Sequence, residues 1–158
     1  MKVICVIPCG KRKIWDNEPG LGAVPAASAY TGVFHRLCQQ YARTFYEEWF
    51  ILSAKHGFLK PDDLVPGNYD LTFNQGSPEE ITADALKQQT REKGIGDAEK
   101  VIMVGGKKFA PVLQRAFGFQ ALFPLTGSKG IGDMQRKLKA AIEHDCKLEE
   151  KIHEENKN

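Results

Sequence analysis

A hydroxyl, an amine and an imidazole occur close together in the chain, at Ser53, Lys55 and His56. The apolar residues at 49–52 precede them and predict a strand that is buried on both faces. Gly57 follows and lets the backbone turn sharply. Because ligands bind at the carboxyl ends of the strands in open parallel sheets, these side chains are candidates for a functional site. In such a site His56 could act as an acid or base beside Ser53.

A second group of reactive side chains follows the apolar run at 3–7, which predicts the first strand. Cys9, Lys11 and Lys13 lie directly after that run. If it is desolvated and crowded by other cations, Lys13 or Lys55 could lose its proton and act as a nucleophile. Cationic neighbours would lower the pKa of the Cys9 thiol, so a thiolate role is open. The alternatives are a lysine that binds phosphate and a cysteine that is simply a small apolar residue.

The composition limits the class of protein. The four cysteines lack the paired spacing of a structural zinc site, so neither a metal nor another cofactor is predicted. The formal net charge of the 158 residues is +2, so any contact with nucleic acid must come from a local patch. No apolar run approaches the ~18 residues of a membrane span, and no secretory cleavage pattern is present at the start. A cytoplasmic protein with reduced thiols and no membrane contact is predicted, and the oligomeric state is left open.

Two tyrosines are candidates for contact with a ligand. Tyr69 and Asp70 lie in a long loop between residues 58 and 76, where they could stack on a planar ring and hydrogen-bond to it. The alternative is that Tyr69 is buried and anchors the loop. Tyr30 directly precedes a predicted helix and could also face the ligand.

Glycines near predicted helix starts form a candidate anion site. Gly105, Gly106 and Lys107 follow the third predicted strand, and Gly130 precedes the last predicted helix. Backbone N–H groups at such positions favour anions. If the strands are parallel, seven basic residues gather at one edge and create a positive field suited to phosphate. These residues are Lys11, Arg12, Lys13, Lys55, Lys107, Lys108 and Lys129. The glycine spacing matches neither the P-loop nor the dinucleotide fingerprint, which argues against an NTPase or a nicotinamide enzyme.

Strands and helices alternate four times along the chain, which predicts an α/β fold of three layers. The expected sheet is mainly parallel and four-stranded, with helices on both faces. Its strands are predicted at 2–7, 49–52, 100–104 and 121–123, in the order 2-1-3-4 with right-handed crossovers. This order brings the ends of the first three strands to a single edge.

Smaller elements can also be predicted. A capping box at Ser77 is expected to begin a helix that ends at Gly94. His35 falls off the apolar stripe of an earlier helix and is expected to be solvated. Residues 1–146 are predicted to form a single α/β domain, and residues 147–158 the charged, frayed end of the last helix.

Several of these motifs together resemble a family of small bacterial and phage proteins of unknown function. The segments are Pro8–Lys13, Ala29–Gly32, 49–59, Tyr69–Thr72 and Gly130–Gly132. That family is distantly similar to the YaaA peroxide-stress proteins, which are implicated in DNA binding. It is also similar to the core domain of archaeosine synthase, which implies a Rossmann-like or uracil-DNA-glycosylase-like arrangement. In that enzyme a proline-cysteine pair, three residues and a lysine mark the lysine that adds to the nitrile of a 7-cyano-7-deazaguanine base.

The spacing of Pro8, Cys9 and Lys13 matches that motif, whereas Ile14 and Trp15 replace the proline-tyrosine pair that follows it in the enzyme. The resemblance implies a protein that handles a nucleobase, nucleotide or nucleic acid, such as a base-modification enzyme. Lys13 would be the nucleophile or a phosphate ligand and His56 the acid or base. The alternatives are a non-catalytic DNA-binding stress-response protein, which would release no product, and a small-nucleotide sensor.

Overall fold

A four-stranded sheet forms the centre of the computed structural model, which describes residues 1–152. Three of its strands are parallel, and the fourth lies at one edge of the sheet and pairs antiparallel with its neighbour. Helices and a small two-stranded sheet surround it. The strands are β1 (Val3–Pro8), β2 (Val24–Pro25), β3 (Trp49–Ser53), β4 (Gly57–Leu59), β5 (Leu64–Val65) and β6 (Lys100–Met103). The α-helices are α1 (Ala26–Ala29), α2 (Val33–Phe45), α3 (Ala83–Glu92), α4 (Ala110–Phe117) and α5 (Ile131–Glu143). Short 3-10 helices cover Ile14–Asp16 and Lys107–Phe109.

The order of the strands in the central sheet is β4-β3-β1-β6. The first, second and third predicted strands correspond to β1, β3 and β6. Their predicted order in the sheet, 2-1-3, is therefore confirmed. The fourth strand of the sheet differs from the prediction. It is β4, which forms a hairpin with β3, while residues 121–123 contribute only one parallel bridge, between Leu122 and Ile102. Pro124 has no N–H group to extend a ladder beyond that bridge.

The sheet separates two apolar layers. Alternate residues of β1 enter different clusters: Ile4 and Val6 pack on the side of α3 and α4, and Cys5 and Ile7 on the side of α2 and α5. This alternation follows from the period of two in a strand, and the four central residues of β1, Ile4 to Ile7, are fully buried. The longest helices, α2 and α5, have 13 residues each, and no helix within residues 1–152 is long and apolar enough to cross a membrane.

Helix α3 begins later than the predicted capping box at Ser77. The Thr82 hydroxyl is the actual cap and accepts a hydrogen bond from the Ala85 N–H at 3.1 Å. The Ile81 N–H instead donates to the Ala54 carbonyl at 2.7 Å, so the preceding segment is tied to the end of β3. A tertiary hydrogen bond thus outweighs the local capping preference.

The two long loops of the sequence are joined through β2 and β5, which pair antiparallel. The Trp15 indole N–H donates to the carbonyls of Leu21 and Gly22, each at 3.1 Å, and orders the first loop. Asn68 in the second loop donates to the Asp16 carboxylate at 3.1 Å. The loop that carries Tyr69 is therefore held near the end of β1.

The last described residues do not continue α5. Leu148 donates its N–H to the Tyr41 hydroxyl at 3.0 Å, and Glu150 forms an ion pair with Lys100 at 3.1 Å. Ile152 bridges to Leu122 at the edge of the sheet. The charged segment at 147–152 therefore packs on the domain rather than forming a helix end, while 153–158 lie outside the described residues.

Candidate functional site

A pocket of about 390 Å³ opens at the carboxyl edge of the sheet, and we call it the strand-end pocket. The strand order reverses between β1 and β6, and in open α/β sheets such a switch point is the usual place for a ligand. The ends of β1 and β3 and the turn after β6 all contribute to the pocket, so the three segments expected at one edge do meet there. The lining residues are Pro8, Cys9, Gly10, Lys11, Phe34, Leu52, Ala54, Leu71, Thr72, Phe73, Gly106, Lys108, Phe109, Ile131 and Met134.

The walls of the strand-end pocket are mostly apolar and carry few polar groups. Phe73 and Phe109 meet edge to face, with 6.2 Å between their ring centroids. The Thr72 hydroxyl is buried and has no hydrogen-bond partner among residues 1–152. Lys11 and Lys108 are exposed at the rim. Apolar walls with a few polar groups are typical of sites for small organic ligands.

Cys9 connects this pocket to a second cluster of polar side chains. Burial raises the pKa of the Cys9 thiol, and the opposing effects of the Lys13 ammonium and the Tyr69 hydroxyl are smaller. The expected lowering of the pKa by cationic neighbours is therefore wrong in its net direction. Cys9 is a neutral thiol at neutral pH, where it borders the pocket as a soft, weakly polar contact.

Ser53, Tyr69 and Tyr30 form a chain of hydrogen-bonded hydroxyls, which we call the hydroxyl network. The fully buried Ser53 hydroxyl accepts hydrogen bonds from the N–H groups of Lys55 at 3.1 Å and His56 at 3.0 Å. It also lies 2.7 Å from the Tyr69 hydroxyl, which in turn hydrogen-bonds to Tyr30. Burial raises the pKa of Tyr30 to about 12 and raises the pKa of Tyr69 as well, so both phenols are neutral.

Lys13 is buried against this network, with 3% of its surface exposed. Its ammonium donates to the Lys11 carbonyl at 3.0 Å and lies 4.5 Å from the centroid of the Tyr69 ring. No carboxylate within the described chain forms an ion pair with it. Lys55 is exposed, and its ammonium lies 5.8 Å from the same ring. The Tyr69 ring thus provides cation–π contacts to two lysines.

His56 lies beside the network without joining it. Its ring meets the Tyr69 ring edge to face at 5.2 Å, and its Nε2 atom is buried with no hydrogen-bond partner among residues 1–152. Burial, with a further contribution from Lys55, lowers the pKa of the imidazole, which is therefore neutral at neutral pH. The Ser53 hydroxyl bonds to the His56 backbone and not to its ring, so the expected acid–base pair is not formed. A neutral imidazole with a free nitrogen can still exchange a proton with a ligand.

The remaining predicted residues are more dispersed. Asp70 is exposed and makes no hydrogen bond or ion pair within the described residues. Gly105, Gly106 and Lys107 border a second cavity of about 360 Å³, which adjoins the strand-end pocket at Gly106 and Met134. Gly130 precedes α5 and borders neither cavity.

The seven basic residues do not form the single positive edge that was expected. Lys11 and Lys108 border the strand-end pocket, and Lys107 borders the second cavity. Arg12 and Lys13 border a separate groove described below. Lys55 and Lys129 border none of these three cavities. Residues that are adjacent in the chain point in different directions after a strand ends, so the charges do not gather at one place.

Several contributors to the site were not predicted. Leu71, Phe73 and Phe109 form pocket walls, yet in the sequence they look like ordinary core residues. His35 was expected to be solvated but is buried: its Nδ1–H donates to the Pro8 carbonyl at 2.8 Å, and its Nε2 accepts from Gln39 at 2.8 Å. The position of His35 on a polar-looking helix face gave no sign that this face packs against the end of β1.

The hydroxyl network should contribute measurably to stability. We expect Tyr69→Phe to lower the free energy of unfolding by about 2 kcal/mol, because two hydrogen bonds are lost and the buried Tyr30 hydroxyl loses its Tyr69 partner. Urea denaturation measures the change. Tyr46→Phe, which removes one hydrogen bond to Glu150, is the control. A loss for Tyr69→Phe that is no larger than that of the control would contradict the prediction.

Comparison with known proteins places the chain in a family. Residues 4–140 match the model of a family described as a family of unknown function (DUF6884), and the chain belongs to that family. It is 53% identical over 150 residues to the uncharacterized protein YfjM of Bacillus subtilis, across 94% of this chain and 100% of that protein. No solved structure matches the chain. These matches confirm the predicted resemblance to a family of unknown function.

Proposed function

We propose that the chain binds a nucleobase or nucleotide in the strand-end pocket. The observation that carries this proposal is the combination of aromatic walls, a buried Thr72 hydroxyl without a partner, and lysines at the rim. The aromatic and apolar walls suit a planar ring, and the hydroxyl can donate to or accept from its edge. Lys11 and Lys108 suit a phosphate that extends towards solvent.

The second cavity supports a nucleotide as well as a free base. It adjoins the strand-end pocket and is bordered by Gly105, Lys107 and the Thr126 hydroxyl, which is buried without a partner among the described residues. Two hydroxyls without partners among residues 1–152, in two cavities that share Gly106 and Met134 as lining residues, fit one ligand with an aromatic part and an anionic part. Buried polar groups of this kind are expected to be satisfied when the site is occupied.

Thermal unfolding in the presence of nucleobases, nucleosides and nucleotides tests the proposal. A ligand that binds only the folded chain raises its apparent stability by about 2.7 kcal/mol at a concentration of 100 Kd. We expect Thr72→Val to reduce the shift caused by a free base, because the hydroxyl that contacts the ring edge is lost. Thr126→Val is the matched control, since it removes an equivalent hydroxyl from the other cavity. No shift with any of these ligands, or an equal loss in both variants, would refute base binding in this pocket.

A base-modification reaction is the catalytic form of the proposal. Lys13 and His56 supply an amine and a neutral imidazole; both contact the Tyr69 ring, and neither lines the strand-end pocket, so the base would have to reach beyond that pocket to meet them. For Lys13 to attack a ligand, its ammonium must leave the Lys11 carbonyl and lose a proton. Turnover of nucleic acid that carries 7-cyano-7-deazaguanine should be lost in Lys13→Ala and His56→Ala. Full activity in both variants would remove these roles. We also propose, from the motif at Pro8, Cys9 and Lys13 alone, that the chain is distantly related to archaeosine synthase and to the YaaA proteins and that its fold is Rossmann-like or uracil-DNA-glycosylase-like.

The alternative is a DNA-binding protein without catalysis. It is favoured by the hydrogen bonds and the cation–π contact that already engage Ser53, Tyr69 and Lys13. Salt-dependent binding of DNA without any product distinguishes this alternative from the enzyme.

A further inference from the structure

A large groove lies on the other side of the turn that follows β1, and we call it the basic groove. Its volume is about 1100 Å³, and it is bordered by Arg12 and Lys13 from the turn and by Arg36 and Arg43 from α2. Asp16 and Glu18 are the carboxylates on its wall. Four cationic residues against two carboxylates give the lining a formal net charge of +2, which equals that of the whole chain.

The guanidinium groups of this groove have no carboxylate partner among the described residues, although that of Arg43 lies over the Trp49 ring, 5.4 Å from its centroid. Arg12, Arg36 and Arg43 are exposed, and none of them forms an ion pair within residues 1–152. The Asp16 carboxylate forms no ion pair with them and accepts hydrogen bonds from the Lys13 N–H at 2.9 Å and from Asn68 at 3.1 Å, although its charge acts on Arg12 at a distance. Arginines without carboxylate partners on a concave surface are suited to anions.

The spacing of the arginines favours an extended anion over a single one. Arg36 and Arg43 are seven residues apart on α2, which is two turns or about 10 Å along the helix axis. Arg12 approaches from the turn after β1. Phosphates placed along a strand could contact these positions in succession, whereas one small phosphate could contact only some of them.

The position of the basic groove relates it to the strand-end pocket. Cys9, Gly10 and Lys11 border the pocket, and the next two residues, Arg12 and Lys13, border the groove. One short turn therefore separates a site suited to a planar base from a site suited to phosphodiesters. A base must leave its stack to enter such a pocket, which single-stranded nucleic acid allows at the lowest cost.

We propose that the basic groove binds the phosphodiester backbone of single-stranded nucleic acid, with Arg12, Arg36 and Arg43 as the principal phosphate contacts. The choice of nucleic acid over another polyanion rests on the base site proposed above. If the groove binds a strand in this way, the ligand of the strand-end pocket is a base within that strand rather than a free nucleotide.

Fluorescence anisotropy with a labelled abasic oligonucleotide of about 12 residues tests the proposal, since one strand-binding module covers ≈ 4–16 nucleotides. An abasic strand has no base to enter the pocket, so its binding reports on the groove alone, and thermal shift by free bases reports on the pocket. We expect Arg36→Ala/Arg43→Ala to weaken abasic-strand binding about tenfold at low salt and to reduce the salt slope by about 1.4, which is the loss of two phosphate contacts.

Arg91→Ala/Arg115→Ala is the matched control, because it removes the same charge from exposed positions of α3 and α4, on the opposite face of the sheet. The proposal is supported if the groove variant binds the abasic strand more weakly and the control variant does not. This conclusion does not depend on whether free bases cause a thermal shift. Three results overturn it: no binding by the native chain at low salt, equal weakening in both variants, or displacement of the strand by tripolyphosphate at equal phosphate concentration. Thermal unfolding of both variants checks that the fold is retained.

Discussion

The substitution Gly57→Ala should lower the free energy of unfolding by about 4 kcal/mol. Gly57 has φ = +75°, and a Cβ atom at this position would lie 2.1 Å from Oε1 and 2.7 Å from Cδ of Gln89. The same Cβ atom would lie 2.7 Å from Ile81. The backbone conformation disfavours any L-residue, and the space is already occupied by another side chain.

Gln89 cannot move away without loss, because its side chain holds the turn in place. Its Oε1 accepts from the Phe58 N–H at 2.8 Å, and its Nε2 donates to the His56 carbonyl at 2.9 Å. Displacement of Gln89 breaks both hydrogen bonds, at roughly 1–1.5 kcal/mol each, in addition to roughly 1–2 kcal/mol for the left-handed backbone. The turn positions Ser53 and His56, so the same variant should also disturb the hydroxyl network.

Substitutions at two other glycines separate the cost of the left-handed backbone from the cost of displacing Gln89. Gly76→Ala adds a side chain at φ = +72° into open space, and should lower the free energy of unfolding by only about 1–2 kcal/mol. Gly20→Ala, which has neither a positive φ nor a neighbour within 4 Å, should change it little. Chemical denaturation of the three variants measures the series. If Gly57→Ala costs no more than Gly76→Ala, then Gln89 does not oppose a side chain there.

Acidification from pH 7 to pH 4 should remove about 3 kcal/mol of stability through His35, since each unit between the folded and unfolded pKa contributes about 1.4 kcal/mol. Burial lowers the pKa of His35 from 6.5 to about 4 in the folded chain, despite the opposing hydrogen bond to Pro8. Above pH 6.5 the imidazole is neutral in both states and has no effect. As the pH falls from 6.5 towards 4, the unfolded chain binds a proton that the folded chain does not, so unfolding becomes easier.

The variant His35→Asn isolates this contribution to the pH dependence. Asparagine can keep a donor near the Pro8 carbonyl but cannot take up the proton, so the loss of stability between pH 7 and pH 4 should be smaller by about 3 kcal/mol. His144→Asn is the control, because 71% of the His144 side chain is exposed. Urea denaturation at a series of pH values gives the comparison. Parallel pH curves for native chain and His35→Asn would show that His35 is not the responsible group.

The sheet was predictable because its determinants are local. Three apolar runs, at the positions of β1, β3 and β6, each end in polar residues or glycine, and the helices between them require parallel crossovers. These features predict parallel strands and the edge where the strand-end pocket lies, whereas the order β3-β1-β6 is only one of the arrangements that they allow. The β4 hairpin was missed because three residues carry too short a pattern to separate a strand from a loop.

The arrangement of side chains at that edge depends on contacts that are distant in the chain. Ser53 and Tyr69 meet across 16 residues and Tyr30 and Tyr69 across 39, so no local spacing could reveal the hydroxyl network. The same is true of the walls formed by Leu71 and Phe109. Local chemistry thus fixes which residues stand at the ends of strands, whereas packing between remote segments fixes which way each points and which charges remain free. A residue type carries its chemistry with it, but burial and neighbours arise only when the chain folds.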